Sequence, residues 1–335
     1  MTPLPFSNLR RRHFRAGSAL IMVIWLISML GMIVYAMLNI VKHDADLAIA
    51  QKQAFRARQV AEMGINWAMN PAVKKYDRDI LEQTLEDGST FSARIRGEGG
   101  RMNINYMLQQ DESSRTFATK LFTLWGLDND MADDLFDKMV DWTDTGDDNH
   151  LKGWEKQDYV ALYGENTPYP FNRPFYNLDE MLLVPGWDLV VANLPDWRDY
   201  FTIYSAGKVD LNEAEAKVLA AVALALDGTS DPGRDFPDKL KEAGELVEDR
   251  WGPDGIEDTE DDIKFTAEDM SAALEKLGLN PSDSAVTAIF GVNDQTTHIE
   301  CVATVGDYRK RVVLIVRGRT GTPQILSREE VPLFQ

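Results

Sequence analysis

The chain has 335 residues and a formal charge of −19, with 35 Lys and Arg against 54 Asp and Glu; 44% of it is hydrophobic and 27% charged, enough for one large or two modest cores. That acidic balance disfavours nucleic acid and anionic lipid headgroups as partners and suits divalent cations or basic proteins. The single Cys301 excludes an intramolecular disulfide, and four histidines without metal-ligand spacing or a partnered Ser or Cys motif argue against an enzyme.

The first element is a membrane segment. Arg10, Arg11, Arg12 and Arg15 precede Ser18 to Val41, a stretch without a charged side chain. As a helix it spans about 36 Å, enough for a hydrocarbon core of ~30 Å, and the arginines favour keeping the leader in the cytoplasm. A cleaved secretory signal, a plain signal anchor and a leader removed ahead of the apolar stretch compete here. Tyr35-Ala36-Met37-Leu38-Asn39 is a poor A-x-A-like cleavage site. Gly17 at the basic-to-apolar junction, followed by Ser18-Ala19-Leu20, resembles the leader of type IV prepilins and type II secretion pseudopilins. In those families cleavage after the glycine leaves the apolar segment as anchor and filament core.

The helical pattern continues past the membrane edge. Leu47, Ala50, Ala54, Ala57, Ala61, Gly64 and Ala68 recur at alternating spacings of three and four, one face of a helix lined mostly with small residues. Small residues admit close approach by a packed sheet or by neighbouring helices, and this face is read as the surface for partner helices. Asn70-Pro71 ends the helix, which predicts one helix over residues 18–69, about 78 Å long. An ordinary anchor followed by a separate amphipathic helix is the competing reading.

Further on, Phe91 to Arg96 alternates as a strand, Gly97-Glu98-Gly99-Gly100 turns, and Arg101 to Asn105 reads as its hairpin partner. Residues 115–142 are helical with a break at Gly126, 143–176 are a polar loop region, and Leu178 to Val184 is a short helix stopped by Pro185-Gly186. Phe201 to Tyr204 returns as a strand, and Val209-Asp210-Leu211-Asn212 leads into a helix over 213–226. An acidic, loop-rich stretch follows around a helix near 237–250. The end turns to β at Ala285–Ile289, Thr296–Val305 and Arg309–Arg317, with Gly306-Asp307 joining the last two.

Gly100-Arg101-Met102-Asn103-Ile104-Asn105, Val140-Asp141-Trp142-Thr143-Asp144, Tyr169-Pro170-Phe171-Asn172-Arg173-Pro174, Leu178 to Gly186 and Val209-Asp210-Leu211-Asn212-Glu213-Ala214 occur in that order. With the prepilin-like start, this set resembles the K-type minor pseudopilin of the type II secretion system, over the chain from Gly17 to the final hairpin. Two patches depart from the family pattern. Asp210-Leu211-Asn212-Glu213-Ala214 stands where Asn-Val-Asn-Thr-Ala is usual, and Gly153-Trp154-Glu155 where Gly-Ala-Glu is. The resemblance implies an α+β pilin-like fold, a long N-terminal helix on a small antiparallel sheet plus an inserted all-helical domain. The expected division is a leader at 1–17, a transmembrane helix at 18–41, its amphipathic continuation at 42–70, a head of 71–106 and 201–335, and the insertion at 107–200.

The implied function is assembly. With I-type and J-type minor pseudopilins the protein would form the tip complex that starts and caps the periplasmic pseudopilus. It would meet prepilin peptidase during processing, and the secretin or secreted cargo at the tip. If Ser18 is the first mature residue, Met22 is the fifth, where most pilins resemble one another in carrying a glutamate. A carboxylate in lipid costs roughly 2.5–3.5 kcal/mol unless paired, and in the family it pairs with the N-terminal amine of the subunit above. A subunit with nothing above it has no use for the acid. A type IV minor pilin, or a signal-anchored helix-hairpin-helix binder suggested by Leu182 to Gly186 and Asp210-Leu211-Asn212, are the alternatives.

Two acidic clusters remain. Trp251 to Asp262 sets carboxylates around glycines in a loop, and calcium takes six to eight oxygens on a flexible turn. Because K-type relatives bind calcium, Asp254, Thr259, Asp261 and Asp262 with the Ile256 carbonyl are the expected ligands; a solvated acidic loop is the bland reading. Asp141, Asp144, Asp147 and Asp148 form a second, weaker metal candidate or a patch for basic partners.

Overall fold

The computed structural model describes residues 15–109, 111–146, 148–227 and 232–333. Its first element is a single helix, α1 (Arg15–Met69), of 55 residues, about 82 Å long. From Ala19 to Lys52 every residue is exposed, and this part is long and apolar enough to cross a membrane. From Ala57 onward one face is buried. Asn70 turns the chain, its side chain accepting from the Ala72 amide at 3.0 Å.

That buried face lies on a five-stranded antiparallel sheet. Its strands are β1 (Glu82–Thr84), β2 (Thr90–Gly97), β3 (Thr296–Val305), β4 (Tyr308–Arg317) and β5 (Gln324–Leu333), in that spatial order. Alternation sends Phe91, Ala93, Ile299, Cys301, Ala303, Val312, Leu314 and Val316 inward against Val60, Ala61, Ile65 and Ala68 of α1. This is the pilin-like arrangement expected from the sequence.

Between β2 and β3 the chain builds a second, larger core from residues 102–292. Its principal helices are α2 (Glu112–Leu124), α3 (Asn129–Thr143), α4 (Lys156–Tyr163), α5 (Ala216–Asp227), α6 (Pro232–Glu248) and α7 (Met270–Lys276). Asp111 and Asp128 cap α2 and α3 by accepting from the amides of Ser114 and Met131, each at 2.8 Å. Gly126, at φ +91°, makes the turn between them.

Several expectations need correction. The Gly97–Gly100 turn does not return the chain as a hairpin. Glu98–Gly100 is a 3-10 turn that leaves the sheet, and Met102-Asn103 pairs in parallel with Phe201-Thr202. The partner of β2 is instead β3, paired over all eight residues of β2. Residues 285–289 belong to a helix, Ser284–Ile289, because the Asp283 carboxylate caps it at the Ala285 amide. The polar stretch 143–176 contains α4. Strand β5 was not foreseen: its Ser327 to Glu330 run is polar, and Pro332 sits on a sheet edge, where proline is tolerated. Finally, residues 201–292, expected in the head with the sheet, pack with 102–200, since Val209, Leu211, Leu219, Val222 and Phe290 join the aromatic core rather than the sheet.

Candidate functional site

The small-residue face of α1 divides in two. Ala57, Ala61 and Ala68 are fully buried under the protein's own sheet. A Cβ on Gly64 would lie 2.5 Å from Cys301 Sγ and 2.8 Å from Phe91 Cδ2. This half therefore cannot receive partner helices, which corrects the sequence expectation: the small side chains bring the sheet close. Leu47 and Ala50 are exposed and Ala54 is half-buried, so only the lower part remains open. Gly17 and Ser18 lie within α1, and Met22 on it is exposed.

The end of α1 is tied down by one side chain. Arg319 donates to the carbonyls of Ala68 and Asn70, both at 2.7 Å, and of Val73 at 2.5 Å. These include carbonyls that a helix terminus leaves without an intrahelical partner.

A junction of buried acids joins the two cores. Glu98 accepts from Thr202 at 2.5 Å and pairs with His298 at 3.1 Å and Arg101 at 3.4 Å. Burial works against its charge, but these partners hold the carboxyl below its usual range. The Asp210 to Glu213 motif serves the same junction. Asp210 accepts from the amides of Asn212 at 2.8 Å and Asp294 at 2.7 Å, and burial pushes its carboxyl up to about 6. Asn212 donates to Phe265 and Val292, and Glu213 accepts from the Gly97 amide at 2.9 Å. The motif is a staple between the units.

The acidic loop is a tight turn closed by the Ile263 amide donating to the Arg250 carbonyl at 2.9 Å. Gly252, Gly255 and Asp258 adopt φ of +67°, +65° and +61°, which curls the backbone inward. The Thr259 hydroxyl lies 2.8 Å from Asp261 Oδ1, 3.2 Å from the Ile256 carbonyl and 3.4 Å from Asp262 Oδ1. Asp261 Oδ2 accepts from the Asp254 amide at 3.1 Å, and Asp254 Oδ1 from the Ile256 amide at 2.8 Å. The hydrogen bond from Thr259 helps hold the Asp261 carboxyl below the usual carboxylate range. All five residues singled out in the sequence thus meet in one turn.

No sequence pattern marks the cation beside them. Lys75 Nζ lies 2.9 Å from both Asp258 Oδ1 and Asp262 Oδ2. Its partners are more than 180 positions away, and no local pattern marks such a pair. Burial opposes its charge, yet the two carboxylates raise its pKa overall.

The second cluster assembles differently from expectation. Asp141 is buried and its carboxylate meets the His150 imidazole and backbone amide; Asp144 stands 4.0 Å from His150 Nδ1. These three ligand-type groups fall within 4.8 Å of one another. Asp148 is exposed, and Asp147 lies outside the described residues. Burial raises the Asp141 carboxyl pKa against the opposing pull of His150. His150 was the missed member, nine residues from Asp141 with no helical or strand spacing to betray it.

Residues 100–194 match the family model described as protein K of the type II secretion system. No curated protein matches the chain by sequence. Among solved structures, a chain of the GspK-GspI-GspJ complex from the type 2 secretion system of enterotoxigenic Escherichia coli is similar. The two are 13% identical with a TM-score of 0.58, covering 86% of this chain and 99% of that one. The chain is thus similar, at residues 100–194, to protein K of type II secretion systems, and it shares its fold with a chain of that complex.

Proposed function

We propose that the protein is a K-type minor pseudopilin, which assembles with I-type and J-type partners into the tip complex that initiates and caps a pseudopilus. The observation that carries this is the conjunction of a protein K match at 100–194 with a 55-residue N-terminal helix whose C-terminal part, from Ala57, packs on a pilin-like sheet. The exposed lower half of α1 is the anchor in the inner membrane before assembly, with the remainder in the periplasm. Its role is structural, as a component rather than a catalyst. Prepilin peptidase removes residues 1–17 after Gly17, and Met22 at the fifth mature position suits a subunit with none above it. The larger unit, residues 102–292, is the surface that meets the secretin or secreted cargo.

The acidic loop is read as a calcium site. Its donors are all oxygens, from Asp254, Thr259, Asp261, Asp262 and the Ile256 carbonyl, and the turn already gathers them. A bound ion would neutralise carboxylates that otherwise repel and so rigidify the turn. Asp141, Asp144 and His150 remain the weaker metal candidate. Chelation should lower the thermal midpoint if calcium binds; an unchanged midpoint sinks that reading.

Intact mass of the protein from cells with and without prepilin peptidase tests the pilin assignment. Loss of residues 1–17 only when the peptidase is present is expected; an unprocessed chain in both would make it a plain anchored protein.

A further inference from the structure

Lys75 sits where the two cores meet. It belongs to the turn after α1, which is anchored by buried Val73 and by the three carbonyls held by Arg319. Its ammonium reaches out of that core to the acidic loop, which belongs to the other one. There it divides itself between Asp258 and Asp262 at equal distances of 2.9 Å. Asp262 is doubly committed. Its Oδ2 takes both Lys75 and the Asp258 amide, while its Oδ1 accepts from the Thr259 amide at 3.3 Å, within the group of oxygens read as the calcium site.

We propose that Lys75 is a built-in counter-cation of the acidic loop, pinning it to the turn after α1 and competing with a divalent ion for Asp262. This rests on the calcium reading of the loop. A carboxylate shared between an ammonium and a divalent ion holds each less tightly than alone, because the two positive charges repel across a few ångströms. The coupling is reciprocal: Lys75 weakens the ion, and the ion loosens the tether by the same factor. Calcium loading then frees the second core from one of its ties to α1. A merely structural lysine has the opposite signature, since its loss would disorder the loop and weaken the ion.

The test is calorimetric titration of calcium chloride into the detergent-solubilised full chain. Lys75→Met should bind roughly tenfold more tightly than the wild type, as should the polar, uncharged Lys75→Gln, while Lys75→Arg stays within about twofold. Equal or weaker binding by both neutral variants would overturn the proposal alone. Absence of calcium heat from every protein would overturn the calcium reading and the proposal with it. Amide exchange supplies the second readout. Saturating calcium should speed exchange of residues 74–77 in the wild type and leave it unchanged in Lys75→Met; no calcium effect in the wild type would overturn the tether.

Discussion

The two cores of this chain solve packing in opposite ways. Where α1 meets the sheet, small residues at Ala57, Ala61, Gly64 and Ala68 line the contact beside Val60 and Ile65, so that strand side chains such as Phe91 and Cys301 come down onto the helix backbone. The inserted unit is built from bulk instead. Trp142, Trp187 and Trp197 are fully buried, and Trp142 touches Tyr159, Tyr169, Phe171 and Phe175 with ring centroids 5.2–6.1 Å apart. A thin core suits a helix that must leave the rest of its surface open for a membrane or a filament. A thick core suits a part that needs only to be large and stiff. Under the proposed function, the difference assigns assembly to α1 and bulk to the insertion.

That contrast breaks at specific residues. The largest effect is expected from Trp142→Ala, which empties the middle of the aromatic cluster and should destabilise the inserted unit by about 3–5 kcal/mol in denaturant unfolding. If the cores are separately stabilised, the sheet's transition shifts far less; a single shared transition moving by the full amount would show one cooperative body. Gly64→Val attacks the other core from the opposite direction. An added side chain meets Cys301 and Phe91, and overpacking of about 1–3 kcal/mol is expected there, with the aromatic unit unaffected.

The junction responds to pH. Burial raises the Asp210 carboxyl to about 6 in the folded chain against an ordinary 3.8. The folded state therefore holds a proton that the unfolded state has already lost, so this group's contribution falls as pH rises from about 4 to 6. The upper bound is roughly 3 kcal/mol. Asp210→Asn should remove that slope from a plot of stability against pH; an unaltered slope would assign it to other acids. Smallest is the loss of the α1 terminus. Arg319→Ala leaves three carbonyls short of a donor and should lower stability by about 1–2 kcal/mol, read as a shifted urea midpoint.

Much of this was legible in the sequence where a pattern repeats or a chemistry is local. The 3-4 recurrence from Leu47 to Ala68 announced the helix face, the β3–β4 hairpin announced itself by alternation around Gly306-Asp307, and the acidic turn lies within a dozen consecutive residues. What the face packs against was not legible, because small residues admit a sheet and a helix equally. Nor were the pairs made by chain reversal: Lys75 with Asp258 and Asp262, Glu98 with His298, Arg319 with the end of α1. Each joins positions about 180 to 250 apart, where only the fold decides proximity. The same reason misplaced 201–292, whose helices look alike whether they cover a sheet or an aromatic core.

The measurement closest to the central claim is co-expression of the full chain with I-type and J-type minor pseudopilins from the same organism, followed by mass determination of the complex isolated in detergent. One copy of each in a single stable species is the predicted result, and it should withstand Lys75→Met, which touches no exposed part of α1. A chain that purifies alone, with both partners folded and present in the same extract, would contradict the account.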